Sequence, residues 1–213
     1  MALNLGLNLQ THTTVTSVQN GPLGNWKVVT GQGVVSARKV IHATNGYSSY
    51  LLPELVGRIV PLKGHAAAIS PSLEFERNPL DKTMAFIWES DFDYLIQRRA
   101  KGKHLILGGR DLEHPEGLVG PLGDSNDSVM NDEIAQGLKS FPENQFEGWS
   151  RSESENVQNQ ERDSQVPRET QVWTGIMGIS KDCLPFLGEL PGKEGQYIAA
   201  GYHGHGKQVP IRS

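Results

Sequence analysis

Two short runs have the composition that ligand-contacting loops need. Tyr202-His203-Gly204-His205-Gly206 follows directly on Tyr197-Ile198-Ala199-Ala200, an apolar run of strand character. Glycines placed just after a strand let the backbone approach a ligand closely. A helix starting there would aim free N–H groups and the positive end of its dipole at an anion or an electron-rich ring edge. The same residues equally suit an ordinary turn. Ala43-Thr44-Asn45-Gly46 is the second run, at the end of Val40-Ile41-His42. Its small residues permit close packing against a cofactor, or a plain strand-to-loop turn.

Other candidates carry less. His203 and His205 form an H-x-H pair with no identifiable third ligand, so no metal site is expected. Arg98 and Arg99, closing a strand-like run, could grip a carboxylate through a bidentate fork or form a solvated strand end. Carboxylates between Glu147 and Glu169 sit in so polar a stretch that they read as a solvated face. The two prolines and two glycines of Asp182 to Gly192 fix a chain path and read as structural. The lone Cys183 excludes an intramolecular disulfide framework and a thiolate zinc site, in keeping with a reducing, cytoplasmic compartment. Its expected place is as a small buried apolar side chain. There is no G-x-S-x-G elbow, H-E-x-x-H or Walker lysine loop, so hydrolase, zincin and P-loop chemistry lack their parts. No catalytic residue is assigned.

The elements that would position these runs follow from the pattern. Thr13 to Val18, Trp26 to Thr30 and Val34 to Ala37, with Gly31-Gln32-Gly33 as a turn, predict a three-strand meander. Lys39 to Thr44 is short and mostly apolar before Asn45-Gly46, the pattern of a buried strand in a parallel sheet. Open α/β sheets bind ligands at the carboxyl ends of such strands. Leu62 to Ile69, Ala85 to Trp88, Tyr94 to Arg98 and Leu105 to Gly108 predict a second, antiparallel sheet. Ile134, Leu138 and Phe141 share one helical face, with Asp132 and Glu133 in the first turn and Pro142 as the stop. Val172 to Ile179 and Gln196 to Ala200 are further extended runs. Asp111 to Ser128 reads as an exposed loop, and Ser150 to Thr170 is too polar to order itself.

The 213 residues suffice for one domain or two small intertwined lobes, and the 37% hydrophobic share is adequate for a core. A net charge of -4, with both signs mixed along the chain, leaves no footprint for nucleic acid or an anionic membrane. Small molecules or protein partners fit better. No window approaches the roughly 20 apolar residues of a membrane-spanning helix. Met1 to Leu7 lacks the basic and apolar regions of a secretory signal, and both ends read as interrupted.

Three segments, taken in order, resemble the FAD-dependent oxidoreductases that include D-amino-acid oxidase, sarcosine oxidase and glycine oxidase. They are Val40-Ile41-His42-Ala43-Thr44-Asn45-Gly46-Tyr47, then Leu52-Pro53-Glu54-Leu55 through Ile59-Val60-Pro61-Leu62-Lys63-Gly64-His65, then Trp173-Thr174-Gly175-Ile176-Met177-Gly178 through Gly201-Tyr202-His203-Gly204-His205-Gly206. The resemblance implies an α/β (α+β) protein. Residues 1–60 and 173–213 would form a partial Rossmann-like FAD lobe. Residues 61–172 would form a mostly antiparallel substrate or cap lobe, with loops about 111–128 and 150–170, roofing the substrate over the flavin.

By the same resemblance, the backbone near Val15 would lie by the adenine, and Ala43, Thr44, Asn45 and Gly46 near the adenosine and pyrophosphate. The loop containing Gly204, His205 and Gly206 would sit at the isoalloxazine, with Lys207 near its pyrimidine oxygen. FAD would be non-covalent. The implied reaction is hydride removal from a C–H beside the nitrogen of a small amine or amino acid, followed by hydrolysis of the C=N bond.

The sequence departs from the family at the pyrophosphate site. The strand, G-x-G-x-x-G turn and helix that hold the pyrophosphate are not found, nor is the acidic ribose ligand, and Gly21 to Gly24 do not replace them. Without that unit Val40 to Ala43 would expose an apolar edge. The chain is therefore expected to hold FAD weakly and to lack activity. The alternatives are a non-catalytic piece that pairs with a complementary one and a β-rich binding protein whose glycine loops are turns.

Overall fold

The structure, a computed structural model, describes residues 2–88, 91–99, 102–109, 120–147, 149 and 170–204. The chain divides into two compact units, Met1–Val60 with Gly178–Ser213, and Pro61–Met177.

In the first unit β1 (Val15–Asn20), β2 (Trp26–Thr30) and β3 (Gly33–Ala37) form the expected antiparallel meander. The β2–β3 reversal is a two-residue turn, closed by Thr30 opposite Gly33, whose φ of 145° favours glycine. A second three-stranded sheet is built from β4 (Val40–His42), β10 (Phe186–Glu189) and β11 (Gln196–Ala200), in the order β10-β11-β4. β11 pairs antiparallel with β10 and parallel with β4. A 3-10 turn (Asn45–Tyr47), α1 (Ser48–Leu51) and a second turn (Pro53–Leu55) carry the chain away from β4. The core of this unit gathers Leu52, Leu55, Ile59, Leu190, Ile198 and Ala200.

The parallel pairing of β4 agrees with the sequence, but the expected burial does not. β4 is an edge strand of only three residues, and Ile41 is 69% exposed. The apolar edge expected over Val40 to Ala43 is therefore present. Cys183 is also exposed rather than buried, because it occupies the turn after Ser180 with φ 60°. The Asp182 carboxylate accepts the Leu184 N–H there at 3.1 Å.

The second unit is a five-stranded sheet in the order β6-β7-β8-β5-β9. Its strands are β5 (Ile59–Ile69), β6 (Met84–Trp88), β7 (Asp91–Gln97), β8 (Leu105–Gly108) and β9 (Gln171–Ser180). β6 with β7, β7 with β8, and β5 with β8 are antiparallel. A short helix, α2 (Leu73–Arg77), follows β5. α3 (Asp132–Gln145) starts where Asn131 accepts the Ile134 N–H at 3.0 Å. Its Ile134, Leu138 and Phe141 complete a core with Ala67, Ile69, Leu95, Leu105 and Leu107. Phe86 packs edge-on to Phe141, with ring centres 5.0 Å apart.

Pro142 does not stop α3, contrary to the sequence expectation; the helix continues to Gln145. The proline ring already has a helical φ and removes a single amide donor. Burial of Phe141 and Pro142 and the Phe146 N–H bond to the Pro142 carbonyl (2.9 Å) offset that loss. The loop expected over Asp111 to Ser128 is described from residue 120 onward. The Ser150 to Thr170 insertion lies, except for Thr170, outside the described residues.

Candidate cofactor site

β4 and β11 run parallel and adjacent, so their carboxyl ends lie side by side. The register Val40 to Gln196, Ile41 to Tyr197 and His42 to Ile198 brings Ala43 to Gly46 next to the segment that begins at Gly201. Those are the two runs singled out in the sequence, although more than 150 positions separate them. Crevices at the carboxyl ends of parallel strands are where open α/β sheets take ligands.

Below this end the two strands are joined by side chains. His42 Nε2 lies 2.7 Å from Gln196 Oε1, and both residues are buried. Above it, Ala43 is exposed, Thr44 and Asn45 are half-buried and Gly46 is buried. The Thr44 and Ser48 hydroxyls are 3.1 Å apart. Asn45 has a left-handed backbone, φ 45°, a conformation that asparagine tolerates better than most side chains.

Its Oδ1 accepts the N–H of Gly201 at 2.9 Å and that of Tyr202 at 3.3 Å. The next amide, His203, donates to the Gly178 carbonyl at 2.9 Å. The first three amides of the glycine loop are thus committed within the protein. The free N–H groups expected there would have to begin at Gly204, an exposed glycine with φ 77°.

Val15 opens β1, half-buried and opposite Thr30, with a bulge between it and Ser17. β1 lies beside α1, so Val15 belongs to a strand neighbouring the helix that follows Asn45. His205, Gly206 and Lys207 lie outside the described residues. Arg98 and Arg99 are exposed in the second unit, where the Arg98 amide donates to the His104 carbonyl at 2.9 Å. Among the described residues no group of three or more His, Cys, Asp or Glu is placed to hold a metal ion. No helix among them is long and apolar enough to cross a membrane.

Two residues of this region were given no role of their own by the sequence. A Cβ added at Gly178 would lie 2.7 Å from Asn45 Oδ1 and 3.0 Å from the Gly46 nitrogen, so glycine is required for the approach. Lys193 pairs with Glu54 at 2.5 Å, tying the β10–β11 turn to the Pro53–Leu55 turn. The Lys193 hydrogen bond is the main cause that lowers the Glu54 carboxyl below its ordinary range.

With that geometry in place, comparison with known proteins decides the family. Residues 1–209 match the family described as FAD dependent oxidoreductase. The chain belongs to this family of FAD-dependent oxidoreductases. No curated protein matches it significantly. Among solved structures, glycine oxidase from Geobacillus kaustophilus is similar at a TM-score of 0.59 and 20% identity, covering 94% of this chain and 45% of its own. L-proline dehydrogenase from P. horikoshii gives 0.63 and 19%, with 96% and 48% covered. NikD, an amino acid oxidase essential for nikkomycin biosynthesis, gives 0.59 and 17%, with 94% and 49%. At these identities the likeness is one of fold. This FAD-dependent oxidoreductase chain spans less than half the length of each of these three structures.

Proposed function

We propose that the chain carries part of the FAD site of an oxidoreductase that oxidises the C–N bond of an amine or amino acid, and that by itself it holds FAD too weakly to turn over. The observation that carries the reading is the juxtaposition of Thr44 to Gly46 and Gly201 to Gly204 at the carboxyl ends of parallel β4 and β11.

The residues present fit part of the cofactor. A half-buried Thr44 hydroxyl, a buried Gly46 and an exposed Gly204 in a left-handed conformation make a surface of small groups and backbone. Such a surface suits close approach by a planar or anionic ligand. The backbone near Val15 is the proposed adenine contact, and His205, Gly206 and Lys207 the proposed continuation toward the ring. What the residues do not supply is the G-x-G-x-x-G turn and helix start that would neutralise a pyrophosphate.

Bound flavin would supply the hydride acceptor for a C–H beside an amine nitrogen. The part left to these residues is binding and orientation: Gly204 and the backbone after it to meet the ring, Thr44 and Gly46 to meet the adenosine half. Residues 61–172 are proposed as the substrate lobe. The amino acid and amine chemistry of the similar structures supports this reading.

The test is gel filtration of the full chain after incubation with FAD, read by flavin absorbance and fluorescence. Weak, sub-stoichiometric co-elution supports the proposal. A stoichiometric, stable complex contradicts weak holding and calls for an amine screen. No change in flavin fluorescence at any protein concentration contradicts the cofactor site itself.

A further inference from the structure

We infer that Asn45 is a positioning residue for the glycine loop. The inference rests on the cofactor reading above for its functional meaning, and on the geometry of the first unit for its substance.

Three stretches of chain far apart in sequence meet at the Asn45 carboxamide: the exit of β4, the end of β9 at Gly178, and the exit of β11. Oδ1 accepts from Gly201 N–H at 2.9 Å and Tyr202 N–H at 3.3 Å. A carbonyl oxygen has two lone pairs, so these two donors use its accepting capacity. Gly178 leaves the space, since a Cβ there would come within 2.7 Å of the same oxygen. The Gly178 carbonyl then takes the next amide, His203, at 2.9 Å.

Asn45 takes a left-handed φ of 45°, and from that backbone its side chain reaches these amides. Gly201, itself at φ 76°, is held from its other side, where a Cβ would touch Ile59 and Phe186 at 3.4 Å. The path of the loop up to Gly204 is therefore set by β4 and β9, not by β11 alone. In consequence a ligand resting on these strand ends meets Gly204 and Thr44, while Asn45 decides where Gly204 stands.

The experiment is backbone amide exchange in the flavin-free chain at pH 7, comparing wild type with Asn45→Gly, Asn45→Asp and Gly178→Ala. Glycine accommodates the left-handed φ and removes the acceptor together with the rest of the carboxamide. Aspartate restores an acceptor with two oxygens. Loss of a neutral hydrogen bond corresponds to roughly a five- to tenfold rise in exchange. The expected result is such a rise at Gly201 and Tyr202 in Asn45→Gly and Gly178→Ala, rescue by Asn45→Asp, and no change at Ile198 and Ala200. Unchanged Gly201 and Tyr202 rates in Asn45→Gly overturn the inference. So does an equal rise at Ile198 and Ala200, which would mark general destabilisation, and so does failure of Asn45→Asp to rescue. A parallel FAD titration of wild type keeps the two questions apart, because its failure would remove the cofactor reading and leave the exchange result standing.

Discussion

His42 and Gln196, buried on neighbouring parallel strands, share a 2.7 Å contact between Nε2 and Oε1. A carbonyl oxygen only accepts, so His42 carries its hydrogen on Nε2. Gln196→Leu would strand that donor away from water, at a cost of about 1–3 kcal/mol. Adding His42→Phe removes the stranded donor, so the double variant should regain part of the loss. Urea unfolding of Gln196→Leu, His42→Phe and the double variant checks this; strictly additive losses would show that the pair does not interact.

Ile41 is 69% exposed on an edge strand. Unpaired apolar edges template association, and a charge there blocks it. Ile41→Lys should raise the concentration at which the chain begins to aggregate, with a stability change within about 0.5 kcal/mol, as for other exposed positions. Light scattering against concentration is the readout. An unchanged onset would assign aggregation to another surface.

Glu54→Gln should weaken the first unit by about 0.5 kcal/mol or less at neutral pH, since Glu54 and Lys193 are about half and one third exposed. The folded carboxyl titrates below its ordinary value, chiefly through the Lys193 hydrogen bond. Stabilisation of that sign is complete above the ordinary range near ~4.3 and is lost as pH falls through the folded value. Wild type and variant should therefore converge in acid, and in high salt at neutral pH. Thermal melts across pH and salt test both.

In the second unit, Phe141→Ala should cost about 3–5 kcal/mol, because the ring is almost fully buried against the sheet. Asn131→Ala removes the cap on the Ile134 amide and should cost about 1 kcal/mol. Chemical denaturation should rank them in that order. Equal losses would mean that the start of α3, not its packing, limits stability.

At Gly108 a Cβ would fall 2.2 Å from the ring end of Tyr94, which is 41% exposed. Gly108→Ala should fold, with the Tyr94 ring swung outward, and should alter tyrosine near-UV dichroism more than it alters the melting temperature. Collapse of the fold would show that the ring cannot yield.

Local features were the legible ones. The glycines of the Gly31 to Gly33 turn marked the meander, and the spacing of Ile134, Leu138 and Phe141 marked α3. The end of α3 was misread because the packing of Phe141 and Pro142 outweighs the missing donor. β10 went unrecognised because Phe186 to Glu189 is four residues bracketed by Pro185 and Pro191. The two runs of the candidate site stood out by composition. That β11 would pair with β4, and that Asn45 would bond Gly201, depends on contacts 156 positions apart, which neither periodicity nor propensity encodes.

That separation also orders events in time. Strands β1 to β3 pair with near neighbours and can form as soon as they leave the ribosome, whereas β4 has no parallel partner until residues 196–200 have been made. Closing so long an interval carries a larger entropic cost than closing a hairpin, and slows the step. Residues Pro61–Met177, an uninterrupted stretch, are synthesised in full before that partner arrives. The loop that begins at Gly201 thus waits on the last strand of the described chain to be made.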